Sequence, residues 1–82
     1  MNKLLRFLTF GIGWQVKRGD AVEIARAECL NRGKPWAEPV HVHRSFGDWE
    51  LWTDTRHRGG NMRIVVDGGT GAVKGLYGPM PR

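Results

Sequence analysis

The sequence predicts an α+β fold, in which one helix packs on an antiparallel sheet of three or four strands. One segment, residues 19–33, has the residue types that begin and end a helix. After residue 40 the chain alternates between apolar and polar residues in short runs separated by glycine-rich turns. With 82 residues there is room for one thin core. We expect an apolar and basic segment over residues 1–18 that packs on the core, followed by a single domain over residues 19–82.

The helix is predicted from "GDAVEIARAECLNRG" and should cover about residues 21–32. Asp20 can accept hydrogen bonds from free backbone N–H groups, and Glu23 can reach back to complete a capping box. Gly33 follows where a left-handed residue ends many helices. The predicted inward face consists of Ile24, Ala25 and Cys29, with Leu30 or Val22 beside them. In the connector "GKPWAEP" that follows, two prolines prevent a helix, and Trp36 should fold back onto the core.

Four stretches have the composition of strands: "VHVHR", "WELWTD", "NMRIVVD" and the weaker "AVKGLYG". Asp-Gly and Thr-Gly pairs supply positive φ at low cost, which tight hairpin turns require. Alternation then sorts the side chains onto two faces. The face toward the helix should hold Val40, Val42, Trp49, Leu51, Met62, Ile64 and Val66. The opposite face should show His41, His43, Glu50, Trp52 and Arg63.

The order of these segments resembles the PepSY-like domains. The resemblance covers roughly residues 20–76 and rests on "AVEIARAEC", "WELWT" and the hairpin "VDGGTGAV". It implies a cystatin-like arrangement of helix and sheet, a non-catalytic role and, as suggested for that family, protease inhibition. The same order of a helix followed by a sheet is similar to small bacterial toxin-immunity domains. Neither likeness supplies a catalytic residue.

The N-terminal segment and the single cysteine bear on where the protein resides in the cell. Cys29 is the only cysteine, so an internal disulfide is impossible; it should be a small buried side chain of the helix. The opening "MNKLLRFLTFGIGW" is too short to span a bilayer and lacks a cleavage site. Residues 1–14 can pack against the domain, lie at a membrane surface as a peripheral anchor, or be disordered. We expect a cytoplasmic protein, with peripheral membrane association left open.

Motifs for catalysis and cofactors are missing from the sequence. The glycines of "VDGGTG" do not lead into a helix, so they do not form a phosphate-binding loop. Ser45 is the sole serine and has no nucleophile-elbow motif around it. Glu50, Asp54 and Asp67 would need a cleft to act as an acid/base pair. We therefore expect no enzyme activity and no cofactor.

Histidines and arginines are the remaining candidates for binding a metal ion or phosphate groups. His41 and His43 share one strand face at a spacing that can bind zinc or copper, with His57 as a third ligand. The alternative, which we favour, is two surface histidines beside Glu50 and no metal. Arg56 and Arg58, with Arg63, form the strongest basic cluster, either to clamp phosphates or as a solvated loop.

Trp52 is the main candidate for a binding anchor, because it should face away from Trp49 and the core. The alternative is that the N-terminal segment or Trp36 covers it. We predict a non-catalytic protein-binding or inhibitory module, with nucleic-acid binding by a small basic protein as the alternative. The net charge of +5 is divided between the halves of the chain, which weakens that alternative. The predicted partner-binding residues are His41, His43, Glu50, Trp52, Arg56, Arg58 and Arg63.

Overall fold

A computed structural model describes residues 16–81 and has the predicted architecture. One helix packs on a four-stranded antiparallel sheet whose strands lie in sequence order. The elements are α1 (Arg18–Asn31), β1 (His41–Ser45), β2 (Asp48–Trp52), β3 (Arg63–Asp67) and β4 (Val73–Tyr77). The helix contacts mainly β2, β3 and β4. The α+β fold is therefore confirmed, with four strands.

The helix begins earlier than predicted, and the predicted capping box is wrong. Lys17 is the N-cap residue, and its side chain makes no capping hydrogen bond. Asp20 lies inside the first turn, where its charge suits the helix dipole but its position excludes the capping role. At the other end the prediction is confirmed, since Gly33 has φ +66°. The N–H groups of Gly33 and Lys34 donate to the carbonyls of Leu30 and Cys29, the pattern of a Schellman motif.

The buried stripe of α1 is narrow and made of small residues. Ala21, Ala25 and Cys29 are fully buried, so the helix lies close to the sheet. Ile24 is partly buried against this core. Of the two alternatives predicted beside the inward face, Val22 packs against the core, whereas Leu30 is 67% exposed. Successive residues of a helix point about 100° apart, so Cys29 and Leu30 cannot both face the core, and the smaller Cys29 occupies the inward position.

Two tight turns connect the outer strand pairs. Phe46 and Gly47 join β1 to β2 and have φ values of 49° and 83°, as a type I′ hairpin turn requires. Residues 68–72 join β3 to β4, where Asp67 Oδ1 accepts hydrogen bonds from the N–H groups of Gly69 and Thr70. The pairing of β3 with β4 shifts between Val65 and Val66, which indicates a β-bulge.

The two predicted sheet faces are confirmed. The side chains of Val42, Trp49, Leu51, Met62, Ile64 and Val66 are buried. Val40 and Trp36 are partly buried against them. Trp49 also donates a hydrogen bond of 2.7 Å from Nε1 to the carbonyl of Val16.

The predictions for residues 1–14 lie outside the described residues. The described chain opens at Val16, which is fully buried and whose N–H donates to the carbonyl of Gly68. Within residues 16–81 no helix is both long and apolar enough to cross a membrane.

Candidate functional site

The outer face of the sheet, turned away from α1, carries a row of two aromatic rings and one cation. Trp52 on β2 pairs with Arg63 on β3, and Arg63 pairs with Tyr77 on β4. The guanidinium carbon of Arg63 lies 5.9 Å from the Trp52 ring centroid and 5.1 Å from the Tyr77 centroid. We call these three side chains the aromatic row. Both contacts have the spacing of cation–π interactions, so the row presents one nearly continuous surface.

Glu50 lies beside this row and holds it in place. Its Oε2 accepts a hydrogen bond from Nε of Arg63, and its Oε1 lies 2.7 Å from Nε2 of His43. Partial burial acts to raise the pKa of Glu50, but the hydrogen bond and charge of Arg63, with those of His43, leave that pKa lowered. The carboxylate therefore stays ionised and orients the guanidinium between the two rings.

Tyr77 lies over a glycine of its own strand. A Cβ atom built on Gly75 would come within 2.6 Å of the Tyr77 ring and its hydroxyl oxygen. The missing side chain at Gly75 therefore leaves space for Tyr77 to lie flat along β4. Tyr77 remains 48% exposed, which leaves area available for contact with a partner.

The three histidines do not come together. The rings of His41 and His43 have centroids 5.4 Å apart, but Nε2 of His43 is engaged by Glu50. His57 lies in the loop after β2, with Nδ1 beside Oδ1 of Asp54. Over the described range, no three His, Cys, Asp or Glu side chains are grouped so that they could hold a metal ion.

Arg56 and Arg58 are exposed in the loop between β2 and β3, at the end of the sheet that carries the aromatic row. The loop is closely tied to the domain. The side-chain amide of Asn61 donates to the carbonyls of Thr53 and Asp54 at 2.8 Å and to that of His57 at 3.3 Å. These bonds fix the backbone on both sides of the two arginines.

Charge is balanced over the strands, and the loop between β2 and β3 adds a small positive surplus. The four strands carry three cations and three anions: Arg44, Arg63, Lys74, Asp48, Glu50 and Asp67. Lys74 pairs with Asp48 at 3.0 Å, and Arg63 pairs with Glu50 at 2.5 Å. The loop between β2 and β3 adds Arg56 and Arg58 against Asp54, a surplus of one positive charge at the end of the sheet that carries the aromatic row.

Five of the predicted partner-binding residues share the outer face: His41, His43, Glu50, Trp52 and Arg63. Tyr77 and Asn61 were not predicted as part of the site. The "GLY" spacing of β4 is a signal for Tyr77, because residues two apart on a strand share a face. No comparable signal marks Asn61, whose three acceptors come from the folded loop.

No family model, curated protein or solved structure matches this chain. The geometry of the outer face is therefore the main basis for a functional interpretation.

Proposed function

We propose that this protein is a non-catalytic protein-binding or inhibitory module that uses the outer face of its sheet and the 55–63 hairpin. The observation that carries the proposal is the aromatic row. Tryptophan, tyrosine and arginine are the residue types that contribute most to binding energy at protein interfaces. Here one of each lies side by side, and Glu50 orders the arginine before any partner arrives. Such pre-ordering lowers the entropic cost of association.

The charge pattern favours a protein partner over a nucleic acid. A nucleic-acid surface generally requires an excess of cations that follows the phosphates. On this sheet the charges of Arg63 and Lys74 are compensated by Glu50 and Asp48. A partner that places apolar or aromatic side chains on the row and an acidic group near Arg56 and Arg58 would fit better.

The family relationship remains part of this proposal. A PepSY-like or cystatin-like domain would use its sheet or hairpins to contact another protein, and the helix and four-stranded sheet are compatible with that idea. A reducing compartment such as the cytoplasm suits the lone, buried Cys29, because burial and the nearby charge of Glu28 raise the pKa of its thiol.

Photo-cross-linking tests the proposal. A photoreactive amino acid replaces Tyr77 on the outer face, and in a matched control it replaces Leu30, which is exposed on α1. We expect one protein to be captured from native lysate through position 77 and not through position 30. Adding Trp52→Ala should abolish the capture, whereas raising the salt concentration should change it little.

Two results would contradict the proposal. Equal capture from positions 77 and 30 would show that the outer face has no special role. Capture of nucleic acid, weakening steeply as salt rises, would favour the nucleic-acid alternative, because released counterions oppose binding at high salt.

A further inference from the structure

A second feature lies at the other end of the sheet, in the turn between β1 and β2. Phe46 is fully exposed, with a relative accessibility of 104%. It also has φ 49°, in the left-handed region that bulky residues rarely adopt. Asn, Asp or Gly would suit this position of a type I′ turn better. The side chain thus contributes nothing to the core and occupies a strained backbone position, a combination found at binding sites.

The turn that presents Phe46 is held firmly. The carbonyl of Gly47 accepts a hydrogen bond of 3.0 Å from the N–H of Gly68, in the neighbouring turn. The carbonyl of Gly68 in turn accepts one of 3.0 Å from Val16, which is buried in the core. The aromatic ring therefore projects from a fixed support and not from a loose loop.

Basic side chains lie near this turn. Lys17, Arg18 and Arg44 line one side of an open hollow of about 500 Å³, and the lining contains no acidic residue. Arg44 lies two residues before Phe46, with its guanidinium carbon 5.3 Å from the Trp49 ring centroid. The hollow therefore favours an anionic ligand.

Two acidic groups of the neighbouring strands, Asp48 and Asp67, are engaged elsewhere. Asp48 pairs with Lys74, and Asp67 accepts hydrogen bonds from the N–H groups of its own turn. Neither carboxylate lines the basic hollow. The lining of the hollow therefore presents cations and no carboxylate to an approaching anionic surface.

We propose that the β1–β2 turn docks on an anionic lipid surface, with Phe46 inserted among the headgroups and the basic residues Lys17, Arg18 and Arg44 facing lipid phosphates. In sequence, Phe46 is flanked by Ser45, Gly47 and Asp48, none of which has a large apolar side chain. An exposed aromatic side chain beside cations suits a lipid interface.

Vesicle binding by the full chain tests this proposal. Co-sedimentation is measured with vesicles of phosphatidylcholine alone and with vesicles containing about one third phosphatidylglycerol. We expect preferential binding to the anionic vesicles, reduced by salt. Phe46→Asn should weaken binding about tenfold, the order expected for removing one buried Phe side chain from the interface. Leu30→Ala, at another exposed apolar residue, should bind like the wild type.

The Phe46→Asn variant separates binding from folding. Asn-Gly is the preferred pair for this turn, so the variant should unfold at a higher temperature than the wild type while binding vesicles less well. Replacing Lys17 and Arg18 with Gln should remove most of the preference for anionic lipid. Trp52→Ala should leave vesicle binding intact, so failure of this proposal would not affect the one for the outer face.

Four outcomes would overturn the proposal. Three of them are no vesicle binding by the wild type, equal binding to neutral and anionic vesicles, and undiminished binding by Phe46→Asn. Loss of binding in Leu30→Ala to the same extent would also overturn it.

Discussion

Trp49 and Trp52 lie three residues apart on β2, yet they belong to two very different surfaces. Trp49 is 6% exposed, lies against the core and donates its ring N–H to Val16. Trp52 is half-buried and stacks with Arg63 on the outer face. The alternation of a single strand thus separates a tryptophan needed for folding from one available for binding.

The two faces are held together by different interactions. The inner face is apolar and is closed by the small side chains of α1, so packing determines its structure. The outer face is organised by an ion pair and cation–π contacts among Glu50, Arg63, Trp52 and Tyr77. Substitutions should therefore affect stability mainly on the inner face and binding mainly on the outer face.

The largest expected difference is in the free energy of unfolding lost when each of the two tryptophans is replaced by alanine. Trp49→Ala should lower the free energy of unfolding by about 3–5 kcal/mol, because a large buried side chain is lost. Trp52→Ala should lower it by less than about 1 kcal/mol, as for most surface substitutions. Urea denaturation followed by circular dichroism measures both values. Comparable losses from the two variants would show that the faces do not differ as described.

The next effect concerns the loop that carries Arg56 and Arg58. Asn61→Ala should lower the free energy of unfolding by about 1–3 kcal/mol, because carbonyls held by its amide lose their partner. Amide hydrogen exchange in residues 54–60 should become faster. The exposed Asn31 provides a control: Asn31→Ala should change neither quantity appreciably. Unchanged exchange in Asn61→Ala would mean that other contacts order the loop.

A smaller and pH-dependent effect is expected at Glu50. Its pKa is lowered in the folded protein, so its stabilising contribution is present above the unfolded-state value of about 4.3 and is lost as pH falls through the folded value. Glu50→Gln should therefore be less stable than the wild type at pH 7 by about 1 kcal/mol or less. The difference should shrink as the pH falls below about 4.3 and disappear once the carboxyl group of the folded protein is protonated. A difference that stays constant throughout an acid titration would contradict the proposed role of the carboxylate charge.

The smallest effect on stability is expected at Gly75. In Gly75→Ala the new methyl group must displace the Tyr77 ring, whose far end is flexible and partly exposed. Stability should change by about 0.5 kcal/mol or less. The NMR signals of the Arg63 side chain should shift as its contact with Tyr77 is lost. Gly19→Ala, with nothing within 4 Å of the added Cβ, should leave those signals unchanged.

Alternation and turn chemistry made the sheet predictable. Val42, Leu51 and Ile64 were assigned to the buried face because residues two apart share a face, and each is buried. Gly33 was assigned to the helix end because few other residues adopt positive φ. These features depend on local geometry, which the sequence carries directly.

Features that depend on tertiary contacts were harder to predict. Asp20 has the residue type of an N-cap, but the fold begins the helix at Arg18, where Val16 is buried in the core. Leu30 is more apolar than Cys29, yet the rotation of α1 exposes it. The spacing of Gly75 and Tyr77 places both on one face of β4, but the contact of Tyr77 with Arg63 depends on the register of β3 with β4, which local sequence does not reveal.

Solvent access to the tryptophans tests the central claim most directly. The full chain is labelled with 5-fluorotryptophan, and the ¹⁹F signals of Trp49 and Trp52 are assigned by single Trp→Phe variants. A soluble paramagnetic agent is then added. The account predicts strong relaxation of the Trp52 signal and little relaxation of the Trp49 signal. Equal protection of both signals would contradict it, since the outer face would then be closed to a partner.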